Sequence, residues 1–433
     1  MVYGEGPVRT VLAAEDRLVA SDWPQATSAL VGPDSLNLLS GPRHGAVKRA
    51  LAEAFGEAGV RRRVPRIAAL VQEYVGRWAS GSQPLSGIAA CQELSQAVFD
   101  CVVLGGDGSP SRAAALQSQM AALAGGFQTP PLELPFTAYG KAVAARAAFG
   151  RLAAESIQRS RAAAAVDCCM SDAVALAAAA AAGGGGGSDA VSLPDSLLVD
   201  NAAASMFGNA STGPSLAKAL QYLCARPDVL ERLREEQRDL VAKYGADVIS
   251  GDVLDGMTYG SAVAREILRI TPAVPAVFRV AITDFEMAGR RIPKGWRVWC
   301  HLGESVLKYN KDAFAPERWL PASTTSASSA SSSPPPLPSS PSSSPAAATA
   351  GGGCPMHAAS AAAAAAVPEY SLPFGTGVRT CLGRHIVTAE LLVFLAVLAR
   401  GYDWTAANPA EEWRVVPAPA PKEGLMVTLR RRG

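Results

Sequence analysis

The chain has no C-x-x-C pair. Its eight cysteines, at 91, 101, 168, 169, 224, 300, 354 and 381, are scattered over 433 residues. That spacing argues against a secreted disulfide frame and fits free thiols in a reducing compartment. There is no excess of charge either. Forty Lys and Arg against 38 Asp and Glu leave a net charge of +2, which points neither to nucleic acid nor to an acidic partner surface. No apolar run approaches the roughly 20 residues of a membrane helix. LLVFLAVLA, at 391–399, reads instead as part of a buried helix. The opening stretch, MVYGEGPVRTVLAAEDRL, has neither the basic start and apolar core of a signal peptide nor the Ser/Arg bias of a transit peptide.

What is present is an apolar content of 49%, enough for a sizeable core in one large domain or two ordinary ones. Two tracts stand out. Residues 174–188, VALAAAAAAGGGGGS, read as a flexible Ala/Gly tract. Residues 322–366, almost wholly Ser, Pro and Ala, read as a disordered insertion that cannot offset its ordering entropy. Elsewhere helical spacing dominates, over 46–56, 62–78, 140–160 and 197–226, followed by the amphipathic VLERLREEQRDLVAKYG. Residues 278–300 alternate around Gly-Arg and Pro-Lys-Gly turns, and PKEGLMVTLRR closes the chain as a strand. The expectation is one mainly α domain over 1–433 with a small β-sheet.

The chemistry concentrates in PFGTGVRTCLG, at 373–383. Cys381 precedes a long apolar helix, and a thiolate at a helix N-terminus meets unpaired N–H groups and the positive dipole end. Glycines let the loop backbone approach a flat ligand, and Arg379 could pair with an anionic group on it. Zinc needs about three or four ligands, and none cluster here. A buried cysteine beside a turn is the plainer reading of the same residues.

The string matches F-G-x-G-x-R-x-C-x-G, and on it the chain resembles a cytochrome P450, a haem-thiolate monooxygenase. Other motifs stand in the family's order. Glu266 and Arg269 form an E-x-x-R on one helical face, and FAPERW supplies Arg318. GPRHGAVKRAL places His44 and Lys48 at i,i+4, where a solvated basic face is the bland alternative. The resemblance is nearest the branch that includes retinoic-acid hydroxylases, carried by EDRLVASDWPQATSALVGPDSLNLLSGPRH, PAVPAVFRVAITDFEMAGRRIPKGWRV and YNKDAFAPERW.

The resemblance implies haem b with Cys381 as its axial ligand, in a loop carrying Phe374 and Gly383. It implies propionate contacts from His44, Lys48, Arg279 and Arg379, and places Thr212 and Ser211 near the oxygen site. It implies O2, a hydrophobic isoprenoid, retinoid or sterol-like substrate, and electrons from NADPH-cytochrome P450 reductase or ferredoxin, docking near Arg384. Trp23 and residues 274–277 would line the pocket.

Three departures qualify it. FGNAST puts Ser211 where the family has an acid beside Thr212, and serine supplies no titratable proton near neutral pH. Pro214 lacks the N–H that would bond the carbonyl of Ala210, so a kink is expected there. A haem isomerase or dehydratase that needs no O2, or an eroded haem-binding protein, stays open as an alternative. The chain also starts after the family's anchor, first helix and first strands. Association with the endoplasmic reticulum or plastid membrane is expected if an anchor lies upstream, and a cytoplasmic location otherwise. Finally, Cys354 and His357 inside the Ser/Pro/Ala tract resemble a haem-sensing Cys-Pro motif, against a chance origin in a Pro-rich tract.

Overall fold

The computed structural model describes residues 1–127, 129–162, 166–182, 193–272, 274–302, 314–321, 372–415 and 419–433. The Ser/Pro/Ala tract and Cys354 with His357 lie outside the described residues.

Helices carry the architecture. The first half runs through α1 (Glu5–Ala13), α2 (Gln25–Val31), α3 (Gly41–Ala54), α4 (Glu57–Ser80), α5 (Gly87–Val102), α6 (Pro110–Gly126), α7 (Ala138–Ala162) and α8 (Cys169–Ala182). The second half adds α9 (Asp195–Asn209), α10 (Thr212–Ala225), α11 (Pro227–Tyr244), α12 (Gly251–Gly256), α13 (Thr258–Ile270) and α14 (Arg384–Gly401). The apolar run 391–399 is buried throughout in α14, which packs against α4, α11 and α13. Burial of each such Leu, Val or Phe is worth about 1.5–3 kcal/mol, so this helix is held by its whole circumference. Among the described residues no helix is long and apolar enough to cross a membrane.

The strands are short and peripheral. β1 (Val19–Ser21), β3 (Ala276–Ala281) and β6 (Arg297–His301) form one antiparallel sheet in the order β1-β3-β6. β2 (Leu85–Ser86), β10 (Met426–Arg431) and β7 (Tyr402–Ala406) form a second, in the order β2-β10-β7. Two two-stranded pairs complete the set, β4 (Phe285–Met287) with β5 (Arg290–Ile292) and β8 (Trp413–Val415) with β9 (Pro419–Pro421). Register places Arg279 opposite Ser21 and Val298. Val277 packs against the small cluster that α1 shares with β1, β3 and β6, while Val274 is exposed and Trp23 half-buried.

Two expectations change. The alanine half of the supposed flexible tract is helical to Ala182 in α8, because Ala has the highest helix propensity; residues 183–188 lie outside the described residues. The long helix read over 197–226 is two helices. α9 ends at Asn209, Ala210 and Ser211 turn through 3.3 and 3.2 Å bonds to Phe207 and Gly208, and α10 restarts at Thr212. Pro214 therefore stands in the first turn of a new helix. There its missing N–H is one of those with no intrahelical partner, so it starts α10 instead of kinking a continuous helix.

Candidate active site

The loop before α14 is folded on itself. The Cys381 N–H donates to Phe374 O at 2.9 Å, and the Thr380 N–H to Gly377 O at 3.1 Å. Gly375 and Gly377 have φ of 68° and 72°, the left-handed region that glycine enters without a Cβ penalty. At Gly377 a Cβ would also meet Leu12 O at 3.0 Å, so the loop lies against α1. This delivers Cys381 and Gly383 to the N-terminus of α14. Cys381 is exposed. Burial pushes its thiol pKa up, while the Gly383 and Arg384 N–H groups and the Lys48 and Arg384 charges pull it down.

α3 brings His44 and Lys48 to this loop. The Lys48 ammonium donates to Val378 O and, at 2.6 Å, to Thr380 O, bracketing the turn that precedes the cysteine. Burial and then the Arg384 charge lower its pKa to about 8. His44 is buried; burial, then Arg379 and Lys48, lower it to about 4, so it is a neutral imidazole at neutral pH. It offers a hydrogen bond to an anion and no charge.

The two arginines read as anion ligands are engaged with the protein. Arg379 donates to Leu36 O at 3.0 Å, Leu39 O at 2.7 Å and Ser40 Oγ at 3.3 Å, fastening the segment that leads into α3. Its Nε also bonds Glu15 Oε1. Arg279 Nε donates to Glu15 Oε2 at 2.6 Å and its Nη1 to Phe278 O at 2.7 Å. Glu15, with a side chain only 1% exposed, joins both guanidinium groups. It is the site residue that sequence reasoning missed. Its partners lie 264 and 364 positions away, and no local spacing marks such a pairing.

Thr212 is buried at the start of α10, and its hydroxyl has no described hydrogen-bond partner. The Ser211 hydroxyl is spent on Gly208 O at 2.7 Å. Adjacent in sequence, the two therefore differ in kind, one donor being unused and the other committed to the turn.

Behind the loop, Glu266 is fully buried. It accepts from Arg269 at 2.8 and 2.7 Å, from Arg318 Nε at 3.2 Å, from the Ala315 N–H at 3.0 Å and from Trp319 Nε1 at 2.9 Å. Burial raises the Glu266 pKa, but the Arg269, Ala315 and Trp319 bonds outweigh it, leaving the carboxyl below its ordinary value. The E-x-x-R pair and FAPERW thus do meet, with Trp319 an added donor.

A second buried acid behaves oppositely. Glu390 on α14 is fully buried, neither oxygen has a described partner, and burial pushes its pKa up to about 8. The folded state therefore holds a proton that the unfolded chain releases above the ordinary glutamate value of 4.5. Stability should fall as pH rises through that window, by roughly 2–3 kcal/mol between pH 5 and 7. Urea unfolding should show this slope for the wild type and its loss in Glu390→Gln; parallel profiles would refute it.

Known proteins bear on this geometry. The family model described as Cytochrome P450 matches residues 140–426. Cytochrome P450 26B1 of Danio rerio is 26% identical, over 98% of this chain and 77% of its own length. Abscisic acid 8'-hydroxylase 3 of Oryza sativa subsp. indica is also 26% identical, over 100% of this chain and 77% of its own. Among solved structures, retinoic acid bound cyanobacterial CYP120A1 superposes with a TM-score of 0.78 at 22% identity, covering 99% of this chain and 88% of that one.

Proposed function

Since the chain belongs to the cytochrome P450 family, in its retinoic-acid-hydroxylase-like branch, we propose that it inserts one oxygen atom of O2 into a hydrophobic isoprenoid, retinoid or sterol-like substrate, with Cys381 as axial ligand of its haem. The protein is a haem-dependent monooxygenase of hydrophobic substrates that takes electrons from a donor protein.

The observation that carries the finer reading is the exposed Cys381 thiol at the N-terminus of α14, in a loop fastened by Lys48 and Arg379. That donor set fits haem: one thiol at the open face, and His44 and two arginines gathered beside it. Bound there, a thiolate-ligated haem pushes electron density that favours O–O cleavage, a general property of such enzymes.

The chain's own residues have these parts. Gly383 and Arg384 direct N–H groups at the sulfur, which favour its thiolate. Arg279, whose Nη2 donates to no described residue, His44, Lys48 and Arg379 are the residues that would hold the haem propionates, and Phe374 and Gly383 belong to the loop that would carry the ring. Thr212 offers the proton donor at the oxygen site, because its hydroxyl is unspent, and Ser211 shapes the turn that presents it. Electrons arrive from NADPH-cytochrome P450 reductase or ferredoxin across the face that exposes Arg384.

The relatives narrow the substrate. Similarity to a retinoic acid bound structure and to an abscisic acid 8'-hydroxylase supports a hydrophobic carboxylic acid. Turnover of retinoic acid under 18O2 with NADPH and reductase, or with ferredoxin, tests the reading. One labelled oxygen per product is expected. The lack of an acid at Ser211 favours one rival, a haem isomerase or dehydratase; product that forms without O2 and carries no label would overturn the oxygen-insertion reading.

A further inference from the structure

We propose that Glu15 is the positioning residue of the propionate end of the site: it sets the place and orientation of both Arg279 and Arg379, and haem affinity depends on it. The proposal rests on the reading above that these arginines face the propionates.

Glu15 lies in a turn that few residues adopt. The next residue, Asp16, has φ of 62°, a left-handed conformation that Asp tolerates better than most non-glycine residues. The turn closes through the Arg17 and Leu18 N–H groups bonding Ala14 O at 3.1 and 2.9 Å. Asp16 Oδ1 then accepts from the Gly41 N–H at 3.1 Å, tying the turn to the start of α3. The side chain of Glu15 goes inward, where each oxygen takes one arginine Nε. One carboxylate therefore joins β3, which carries Arg279, to the cysteine loop, which carries Arg379; Arg379 and Asp16 extend the link to the segment leading into α3, the helix of His44 and Lys48.

Without Glu15, two buried guanidinium groups that share a carboxylate would face each other uncompensated. Like charges at such separation repel strongly in a low-dielectric setting. The carboxylate also fixes orientation. With Nε on Glu15 and one Nη1 N–H on Phe278 O, Arg279 keeps both N–H groups of Nη2 and the second of Nη1 uncommitted to described residues. Arg379 spends Nε, one Nη1 N–H and Nη2 on protein acceptors, so it faces the propionates with its charge and one remaining N–H, held in line by Glu15. A negative charge near two propionates is unfavourable taken alone, but the arginines it anchors outnumber it.

The test compares haem with haem dimethyl ester, whose propionates carry no charge, in titrations of apoprotein followed by absorbance. Wild type should prefer haem. Glu15→Gln keeps the side chain's shape and one acceptor, and should reduce that preference about tenfold or more, the usual scale for an outer-shell partner. Glu15→Asp, whose shorter carboxylate still carries the charge, should fall between, and is read instead if the Gln variant does not fold. The ratio is taken within each variant, so a general loss of stability that weakens both ligands equally leaves it unmoved. If Arg279→Gln and Arg379→Gln lose the preference while Glu15→Gln keeps it, Glu15 is no positioning residue. A preference that rises in Glu15→Gln would make Glu15 a competitor of the propionates and also overturns the proposal. If neither arginine variant changes the ratio, the propionate reading itself fails, and the proposal with it.

Discussion

Glu266→Ala is expected to leave a protein that unfolds readily and retains little haem. The carboxylate is fully buried and accepts from two arginines, a backbone N–H and the Trp319 indole. Alanine would take from the Arg269 guanidinium, 1% exposed, the carboxylate that accepts two of its bonds. Removing one partner of a buried ion pair costs about 3–5 kcal/mol, against a total folding stability of roughly 5–15 kcal/mol. The loss is structural in origin, because the network joins α13 to the 3₁₀ turn Pro316–Trp319. Arg318→Ala should cost less, since that side chain is 19% exposed and water replaces part of the bond. Urea midpoints and haem content measured on both variants check this order. A Glu266→Ala loss below about 1 kcal/mol would mean the network contributes little.

How legible such features were depended on the distance between partners along the chain. The E-x-x-R helix, the FAPERW segment and the cysteine loop each carry their signal within a few residues, and the structure brings the first two onto one carboxylate. The helix after Cys381 was readable because its apolar run is unbroken. Glu15 had no such signal, since an acid one residue from Asp16 resembles any solvated turn until β3 and the cysteine loop fold onto it. The division between α9 and α10 is hidden in the sequence for a different reason. Proline removes the same N–H whether it interrupts a helix or starts one, and only tertiary contact shows which. Here Gly213 packs so close to Gln92 on α5 that a Cβ would come within 2.8 Å of it. The alanine tract reads as flexible from its low complexity, where the high helix propensity of Ala carries α8 on from its packed first turns, Cys169–Val174, through alanines that are largely exposed.

Cys381→Ser should have the largest effect on the cofactor. Serine preserves the size of the side chain and the loop bonds of Cys381 N, Thr380 N and Lys48, so the fold is expected to persist. What changes is the ligand: a hydroxyl of ordinary acidity does not ionise at a helix N-terminus as a thiol can, and the electron push of a thiolate is lost. Haem bound in the variant should turn over no substrate with reductase and NADPH.

The central claim is that this cysteine, and none of the other seven, ligates the haem. Carbon monoxide added to the dithionite-reduced protein tests it most directly. The wild type should show the long-wavelength Soret band characteristic of thiolate-ligated haem, and Cys381→Ser should lack it while Cys91→Ser and Cys300→Ser keep it. A Cys381→Ser protein that retains the band would contradict the account.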